Sequence, residues 1–339
     1  MDLWHPRADA QSCRTGAAVT GSLLKLVVTD QAFGNTRHER AAAEAVGAQF
    51  AEYQCRNEDE ALAAVTGAQA VLNNFAPMTR KVMAAMAPGA VIVRYGVGVD
   101  NVDLAAARDL GVRVCNVPDY GVEEVADHAA AMTLALARKL GRYDAGIRAG
   151  EWKIDRMVEG LRSLRDTTVG LIGLGRIARA YAARMAAFGC RITGFDPFVT
   201  EDQARAIGIT PLPREEVIAT ADVLSLHVPL TPETRHLIDA DAIARMPAGA
   251  ILINCSRGGL VDEAALAAAL ASGQLSGAGL DVFEKEPLPA GSPLRTAPNI
   301  LMSPHAAFFS DASVDALQRL ASEEALRALR GEPLRCPLT

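Results

Sequence analysis

The stretch Thr168–Ala178, Thr-Val-Gly-Leu-Ile-Gly-Leu-Gly-Arg-Ile-Ala, decides the fold of this chain. Its first half is apolar and typical of a buried strand, its centre is rich in glycine, and a helix-forming segment follows. A glycine turn between a strand and a helix can hold a pyrophosphate on its backbone N–H groups, assisted by the helix dipole. The sequence therefore predicts a dinucleotide site with Gly173 and Gly175 in the phosphate turn.

Asp196 is the second part of this predicted site, and it directly follows the apolar segment Arg191–Phe195. In dinucleotide-binding domains an acidic residue about 20 positions beyond the glycine turn hydrogen-bonds the adenosine ribose. A carboxylate there would repel the 2′-phosphate of NADP, so NAD is the expected cofactor and NADP is disfavoured. The alternative is that Asp196 only caps the turn before Pro197.

Apolar segments alternate with helical patterns on both sides of the glycine turn. Further strands are predicted downstream at Arg191–Phe195, Val223–Leu226, Ala250–Ile253, Gly277–Leu280 and Ile300–Met302, and upstream at Leu23–Thr29, Ala68–Leu72 and Ala90–Arg94. Such alternation predicts parallel sheets covered by helices on both faces. Apolar spacings of three and four predict one long helix over Gly121–Arg148. A last helix, Ala312–Leu329, is expected to pack back on the first domain.

The fold class that follows is α/β, with two doubly wound parallel-sheet domains. We predict a Rossmann dinucleotide-binding domain over residues 119–305, inserted in a discontinuous flavodoxin-like substrate domain of residues 22–118 and 306–339. Residues 1–21 are expected to form a disordered N-terminal extension, as chain ends often do. A chain of 339 residues is long enough for two domains.

Composition limits the classes of partner. The net charge is −6 and basic residues are interleaved with acidic ones, so no nucleic acid is expected as a partner. No stretch approaches the roughly 20 apolar residues that span a bilayer, so no membrane segment is expected. The six cysteines have no metal-site spacing, which predicts no metal and no disulfide framework. A reducing cytoplasm is the expected location.

Arg257, Glu286 and His305 each follow a strand-like segment and could together run a proton-coupled redox step. Histidine exchanges a proton near neutral pH, and a nearby carboxylate favours its protonated form. A planar guanidinium can hold a carboxylate and an adjacent carbonyl oxygen together. Each residue alone could equally belong to a turn, but their joint occurrence predicts acid/base chemistry on a small carboxylated substrate.

Five segments resemble the D-2-hydroxyacid dehydrogenase family, which includes phosphoglycerate, glycerate, hydroxypyruvate and D-lactate dehydrogenases and the C-terminal-binding-protein corepressors. The segments are Gly96–Asp103, Gly173–Ala178, Asn254–Asp262, Leu280–Pro287 and Ser303–Ser310. The resemblance extends from about Leu24 to the C-terminal helix. Because all five motifs occur in the family's order, the resemblance is more specific than any one of them.

The resemblance implies a role for each site residue. Arg257 would orient the substrate, His305 would be the acid/base and Glu286 its partner. Asp281 would contact the nicotinamide carboxamide. The other residues placed against NAD are Gly173, Gly175, Arg176, Ile177, Asp196, Val228, Cys255, Ser256, Arg257 and His305. The loop at Val97 and Gly98 would receive the substrate carboxylate, and the candidates for setting specificity are Asn74, Tyr95 and Phe308.

The substrate is inferred from departures within the family. Asn73 stands where phosphoglycerate dehydrogenases often carry a phosphate-binding arginine, so a non-phosphorylated 2-oxo or 2-hydroxy acid, of the hydroxypyruvate or glyoxylate type, is predicted. Two alternatives stay open. One is 3-phosphoglycerate dehydrogenase. The other is an NAD(H)-sensing corepressor-like scaffold, because the sequence of His305–Phe309 resembles that of the corepressor branch. The resemblance also implies a homodimer whose contact is the helix beginning near Gly121.

Overall fold

The computed structural model of the protein describes residues 24–152 and 161–339. The predicted extension, residues 1–21, lies outside these residues. Two parallel sheets, each covered by helices, organise the described chain. The predicted α/β class with two parallel-sheet domains is confirmed.

The first sheet contains five parallel strands: β1 (Lys25–Val28), β2 (Gln49–Glu52), β3 (Ala70–Asn73), β4 (Val91–Arg94) and β5 (Arg113–Cys115). Their order, β2-β1-β3-β4-β5, is the flavodoxin-like one. Its connecting helices are α1 (Arg37–Glu44), α2 (Glu58–Val65), α3 (Arg80–Met83) and α4 (Leu104–Leu110). Neither β2 nor β5 is among the predicted strands, because β2 is an edge strand with one large apolar residue and β5 has three residues.

Two helices, not one, occupy the stretch that joins the sheets, so the prediction of a single helix over Gly121–Arg148 is wrong. They are α5 (Val122–Ala137) and α6 (Leu140–Arg148). Lys139 lies between them in the left-handed region, with φ +52°. An L-residue in that conformation cannot continue a right-handed helix.

The second sheet contains seven parallel strands: β6 (Thr168–Ile172), β7 (Arg191–Phe195), β8 (Thr210–Pro211), β9 (Val223–Leu226), β10 (Ala250–Asn254), β11 (Leu275–Leu280) and β12 (Ile300–Met302). The order β12-β11-β10-β9-β6-β7-β8 reverses direction at β6, as in a Rossmann domain. The covering helices are α7 (Arg176–Ala187), α8 (Glu201–Ala206), α9 (Arg214–Thr220), α10 (Ala240–Arg245) and α11 (Glu263–Ser272). Three short 3₁₀ helices, Leu164–Asp166, Gly258–Leu260 and Pro293–Thr296, complete it. The two-residue strand β8 was not predicted.

The last helix, α12 (Asp311–Leu329), returns to the first sheet, where Leu317 and Ala321 pack with Leu26, Leu72 and Val93. The opposite face of that sheet buries Val27, Val71 and Ile92 under α2, α3 and α4. Strands buried on both faces read as continuous apolar runs, which is why most were predictable. The boundaries at 118/119 and 305/306 remain predictions.

The site lies where the carboxyl ends of the two sheets meet. Because the strands of each sheet are parallel, the loops after them lie along one edge. Contacts join the two edges: Asp100, after β4, bonds Arg257, after β10, at 2.6 Å. The rings of Phe75, after β3, and His305, after β12, lie 6.4 Å apart between centroids. No helix within residues 24–152 and 161–339 is long and apolar enough to cross a membrane.

Candidate active site

Gly173 forms the turn after β6 with φ +91°, a conformation that favours glycine. A side chain at this position would also come within 2.4 Å of the His227 carbonyl oxygen. Gly175 precedes α7, and a side chain there would meet no other atom. No side chain of the described residues caps the first turn of α7. Open space in front of uncapped N–H groups fits a dinucleotide pyrophosphate.

Asp196 lies beside this turn at the end of β7. Its carboxylate accepts hydrogen bonds from the backbone N–H groups of Leu174 and Phe198, both at 2.8 Å. The side chain therefore does cap the turn before Pro197, as the alternative interpretation proposed. A carboxylate has about four acceptor positions, so the half-buried Asp196 can also accept from a ribose hydroxyl.

The other predicted cofactor residues lie around the same turn. The side chain of Val228 packs against Gly173, and Ile177 lies half-buried in the first turn of α7. Arg176 forms an ion pair with Asp119, which belongs to the segment between β5 and α5. An anion bound at the helix start would compete with Asp119 for that guanidinium.

Cys255 and Ser256 follow β10, which brings them to the same edge of the sheet. Burial, assisted by the negative charge of Asp281, raises the pKa of the Cys255 thiol far above its ordinary value. The thiol of Cys255 is therefore expected to stay protonated near neutral pH, and its part-buried side chain packs against the core beside Ile251 and Ile253. Ser256 Oγ donates to the Leu226 carbonyl oxygen at 2.7 Å, which fixes the start of the loop on the neighbouring strand.

The buried side chain of Asn254 shapes the loop that carries Arg257. Its Nδ2 donates to the Arg257 carbonyl oxygen at 2.8 Å, and its Oδ1 accepts from Ser256 N at 3.0 Å. A side chain at Gly258 would lie 1.9 Å from the carbonyl carbon of Phe283, so only glycine allows the two loops to touch. These contacts fix the direction in which Arg257 leaves the sheet.

The guanidinium of Arg257 reaches across the cleft to the 96–100 loop of the first domain. Its Nε donates to Asp100 Oδ2 at 2.6 Å, and its Nη1 donates to the Ser256 carbonyl oxygen at 2.7 Å. Nη2 lies directly against Gly98, where a Cβ atom would be 1.2 Å away. The structure thus brings together Arg257 and the predicted loop of Val97 and Gly98.

His305 and Glu286 form a hydrogen-bonded pair: His305 Nδ1 lies 2.7 Å from Glu286 Oε2. Glu286 Oε1 accepts from Phe283 N at 3.0 Å. Burial is the largest single influence and opposes ionisation of Glu286, but the hydrogen bonds from His305 and Phe283 N and the charges of His305 and Arg257 together outweigh it, so the pKa of Glu286 is lowered. With a carboxylate on Nδ1, the proton sits on that nitrogen and Nε2 is left for chemistry.

Asp281 holds the loop on which His305 stands. Its buried carboxylate accepts from Ser303 Oγ at 2.5 Å, from Ala306 N at 2.8 Å and from Ala307 N at 2.9 Å. The backbone N–H of His305 donates to the Asp281 carbonyl oxygen at 2.7 Å. These bonds support His305 at φ +55°, a conformation that is uncommon for a side-chain-bearing residue.

The opposite wall of the cleft is built by Asp30. Its carboxylate accepts from the backbone N–H groups of Asn74, Phe75 and Ala76 at 3.2, 2.6 and 3.2 Å. The bonds turn the loop so that the Phe75 ring, 58% exposed, faces the imidazole of His305. Phe75 was not predicted, because nothing in the sequence distinguishes its direction from that of its neighbours.

Arg94 is a second cation at the site and was also missed. Its guanidinium packs against Gly96, and its Cζ lies 6.0 Å from the centre of the Phe75 ring. The buried Nε has no hydrogen-bond partner among the described residues. Burial, with the positive charge of Arg257, lowers the pKa of Arg94 to about 10. An arginine ending an apolar strand just before a glycine loop was the available signal.

The three predicted specificity residues have different surroundings. Asn74 is only 6% exposed, and its N–H is bonded to Asp30. Tyr95 points away from the cleft, and its hydroxyl donates to the buried carboxylate of Glu39 at 2.7 Å. Phe308 is half-buried, with its ring 5.9 Å from that of Tyr120. Phe75 is thus the aromatic side chain that faces His305.

Two further histidines border the site. His227 is bonded to Ser225 Oγ at 2.9 Å, and burial lowers its pKa to about 4, so it is neutral near pH 7. His128, on α5, has its Nε2 2.8 Å from Ser303 Oγ. No cluster of three or more metal-ligating side chains occurs in the part of the chain that is described.

The fold and this cleft define a two-domain α/β protein with a nucleotide-binding turn on one wall. Residues 130–307 match the model of the "D-isomer specific 2-hydroxyacid dehydrogenase, NAD binding domain". The chain belongs to the D-isomer specific 2-hydroxyacid dehydrogenase family, which confirms the resemblance seen in its motifs.

The relatives that this chain matches carry the names of several different dehydrogenases and reductases. It is 41% identical to a D-3-phosphoglycerate dehydrogenase of Mycobacterium leprae, over 80% of this chain and 51% of that protein. It is 38% identical to a glyoxylate reductase of Korarchaeum cryptofilum, over 76% and 78%. The D-lactate dehydrogenase of Aquifex aeolicus, solved with NAD and lactic acid, superposes with TM-score 0.81 at 27% identity, over 91% and 96%. The chain spans about half the length of the curated phosphoglycerate dehydrogenases that it matches.

Proposed function

We propose that the protein is an NAD-dependent dehydrogenase that transfers a hydride between NAD(H) and a small, non-phosphorylated 2-hydroxy or 2-oxo acid. The observation that carries the proposal is the convergence of Arg257 from one wall and the Gly98 loop from the other, beside the His305–Glu286 pair. Family membership and the names of the relatives support the reaction class.

Each residue contributes a step that its geometry supports. The free N–H groups at Nη2 of Arg257 and in the loop of Val97 and Gly98 bind the substrate carboxylate. His305 Nε2 gives a proton to the carbonyl oxygen during reduction and takes one from the hydroxyl during oxidation. The Glu286 carboxylate accepts a hydrogen bond from Nδ1 and holds the ring in orientation. The nicotinamide, when bound, supplies or accepts the hydride.

The cofactor would lie along the carboxyl edge of the second sheet. The turn at Gly173 and Gly175 and the side chain of Arg176 would hold the pyrophosphate, and Asp196 the adenosine ribose. The negative charge of Asp196 disfavours a 2′-phosphate, so we propose NAD over NADP.

Phe75 favours a substrate with a short or apolar side chain, because its exposed ring lies opposite His305. Arg94 supports a second candidate, 3-phosphoglycerate dehydrogenase, since its part-buried guanidinium beside Phe75 could receive a second anionic group. The M. leprae relative carries that name. The aromatic wall and the asparagines at the end of β3 favour the first candidate.

The test is NADH oxidation by the purified protein with glyoxylate, hydroxypyruvate, pyruvate, phenylpyruvate and phosphohydroxypyruvate. Activity with a non-phosphorylated acid that is lost in His305→Ala is the expected result. A clear preference for phosphohydroxypyruvate would select the second candidate. Tight NADH binding without turnover of any of the acids would contradict the dehydrogenase and favour the sensing scaffold.

A further inference from the structure

The side chain of Asp100 accepts a hydrogen bond from the Arg257 guanidinium, which reaches across the cleft and would receive the substrate carboxylate. Asp100 belongs to the loop after β4, whereas Arg257 follows β10 in the other sheet. The bond of 2.6 Å from Nε of Arg257 to Asp100 Oδ2 has the length of a charge-assisted hydrogen bond. We propose that Asp100 is a positioning residue that fixes the plane of the Arg257 guanidinium for the incoming 2-oxo acid. This inference rests on the function proposed above.

Some hydrogen-bond donors of the Arg257 guanidinium are used within the protein and others are free. A guanidinium has five N–H groups in a rigid plane. Asp100 takes the one on Nε, and the Ser256 carbonyl oxygen takes one on Nη1. Nη2 makes no hydrogen bond to any described residue and lies on Gly98. Three of the five N–H groups, one on Nη1 and two on Nη2, therefore have no acceptor among the described residues, while the one on Nε is taken.

Other free donors lie beside Nη2, in the loop that it contacts. The backbone N–H groups of Val97 and Gly98 have no acceptor among the described residues. Because Asp100 belongs to the same loop, its bond to Arg257 sets the angle between the fork and these N–H groups. A carboxylate can then bind to both, and Asp100 can stay in place while it does.

A positioning role of Asp100 and a purely electrostatic role predict different kinetic changes when its side chain is removed. Asp100 is 47% exposed and lies near two cations, Arg257 and Arg94. If Asp100 acted only through its charge, or were an occupant that the substrate displaces, its removal would strengthen the binding of an anionic substrate and KM would fall. If it positions Arg257, its removal leaves the guanidinium free to rotate and kcat falls.

The experiment compares Asp100→Ala, Asp100→Asn and the control Asp109→Asn in steady-state reduction of the best 2-oxo acid. Asp109 forms an exposed ion pair with Arg80 on the first domain. We expect Asp100→Ala to lower kcat by roughly tenfold to a hundredfold with no fall in KM. Asp100→Asn should retain more activity, because its amide oxygen can still accept from Nε. The control should match the wild type.

A second readout needs no substrate. The Nε–H resonance of Arg257 in a proton–nitrogen correlation spectrum, identified by its loss in Arg257→Lys, should shift in Asp100→Ala and stay in place in Asp109→Asn. An unmoved resonance, or a lower KM with unchanged kcat, would overturn the positioning role. If the resonance responds but the wild-type protein turns over no 2-oxo acid, the hold of Asp100 on Arg257 is supported and the proposed function is refuted.

Discussion

Replacement of Gly98 by alanine should abolish most of the activity while leaving the fold intact. The added methyl group would stand 1.2 Å from Nη2, 2.4 Å from Cζ and 3.0 Å from Nε of Arg257. All three atoms belong to the flexible end of one side chain, so the guanidinium can swing away. It would then lose its place beside the free N–H groups of the loop.

The size of the effect follows from the bonds that are lost. Hydrogen bonds to charged groups contribute about 1.5–3 kcal/mol each. Displacing Arg257 removes one or two of them from the substrate carboxylate, a loss of about 1.5–6 kcal/mol in the transition state. This corresponds to a decrease in kcat/KM of at least about tenfold.

Stability should change little. Gly98 is not among the glycines with positive φ, so alanine can adopt its backbone conformation. At such positions a Gly→Ala change stabilises by about 0.4–1 kcal/mol through the unfolded chain. The loss of the Arg257–Asp100 hydrogen bond offsets this gain, so the melting temperature should stay close to that of the wild type.

The assay is kcat/KM for NADH oxidation, together with the melting temperature and the dissociation constant for NADH. Gly291→Ala is the matched control, because a side chain there meets no other atom and its φ is not positive. Activity of Gly98→Ala within threefold of the wild type would refute the placement of Arg257 against this loop. So would a loss of activity that a lower melting temperature or weaker NADH binding explains.

Three further changes test other parts of the structure. Glu286→Gln should weaken reduction most at alkaline pH, because the carboxylate that faces His305 Nδ1, and whose pKa is lowered, is then replaced by a neutral amide. An unchanged alkaline limb of the pH–rate profile would contradict the coupling. Asp196→Ser should reduce the preference for NAD over NADP, measured as the ratio of the two kcat/KM values, by about tenfold or more. An unaltered ratio would show that Asp196 does not determine which cofactor is used. Burial raises the pKa of Glu39 despite its bond from Tyr95, so the stability this group contributes is present at low pH and is lost as pH rises through its folded pKa. Glu39→Gln should flatten that decline in melting temperature, and an identical decline in the mutant would show that another group causes it.

Some strands and one break in a helix could not be predicted from sequence patterns, whereas the interior strands could. Interior strands such as β4 and β10 have continuous apolar runs because both faces are buried. The edge strands β2 and β8 have no such run, since their pairing depends on the neighbouring strand and not on their own side chains. The break at Lys139 is a backbone conformation, with φ +52°, that the spacing of apolar residues does not indicate.

The direction in which each side chain points is a second property that the sequence does not show. Arg94 and Tyr95 are adjacent, so in an extended chain they point to opposite sides. Arg94 faces the cleft and Tyr95 faces Glu39 behind the sheet, which only the register and orientation of the strand reveal. For the same reason Phe75, and not Asn74, faces His305.

By itself the sequence determined the α/β class, the dinucleotide turn and the identity of Arg257, Glu286 and His305 as candidates, because these depend on local patterns. The tertiary structure alone decided which groups meet across the cleft. Asp100 and Arg257 are 157 positions apart and come together only because two parallel sheets place their carboxyl edges face to face. Such contacts depend on the relative orientation of two domains, and no local spacing encodes that.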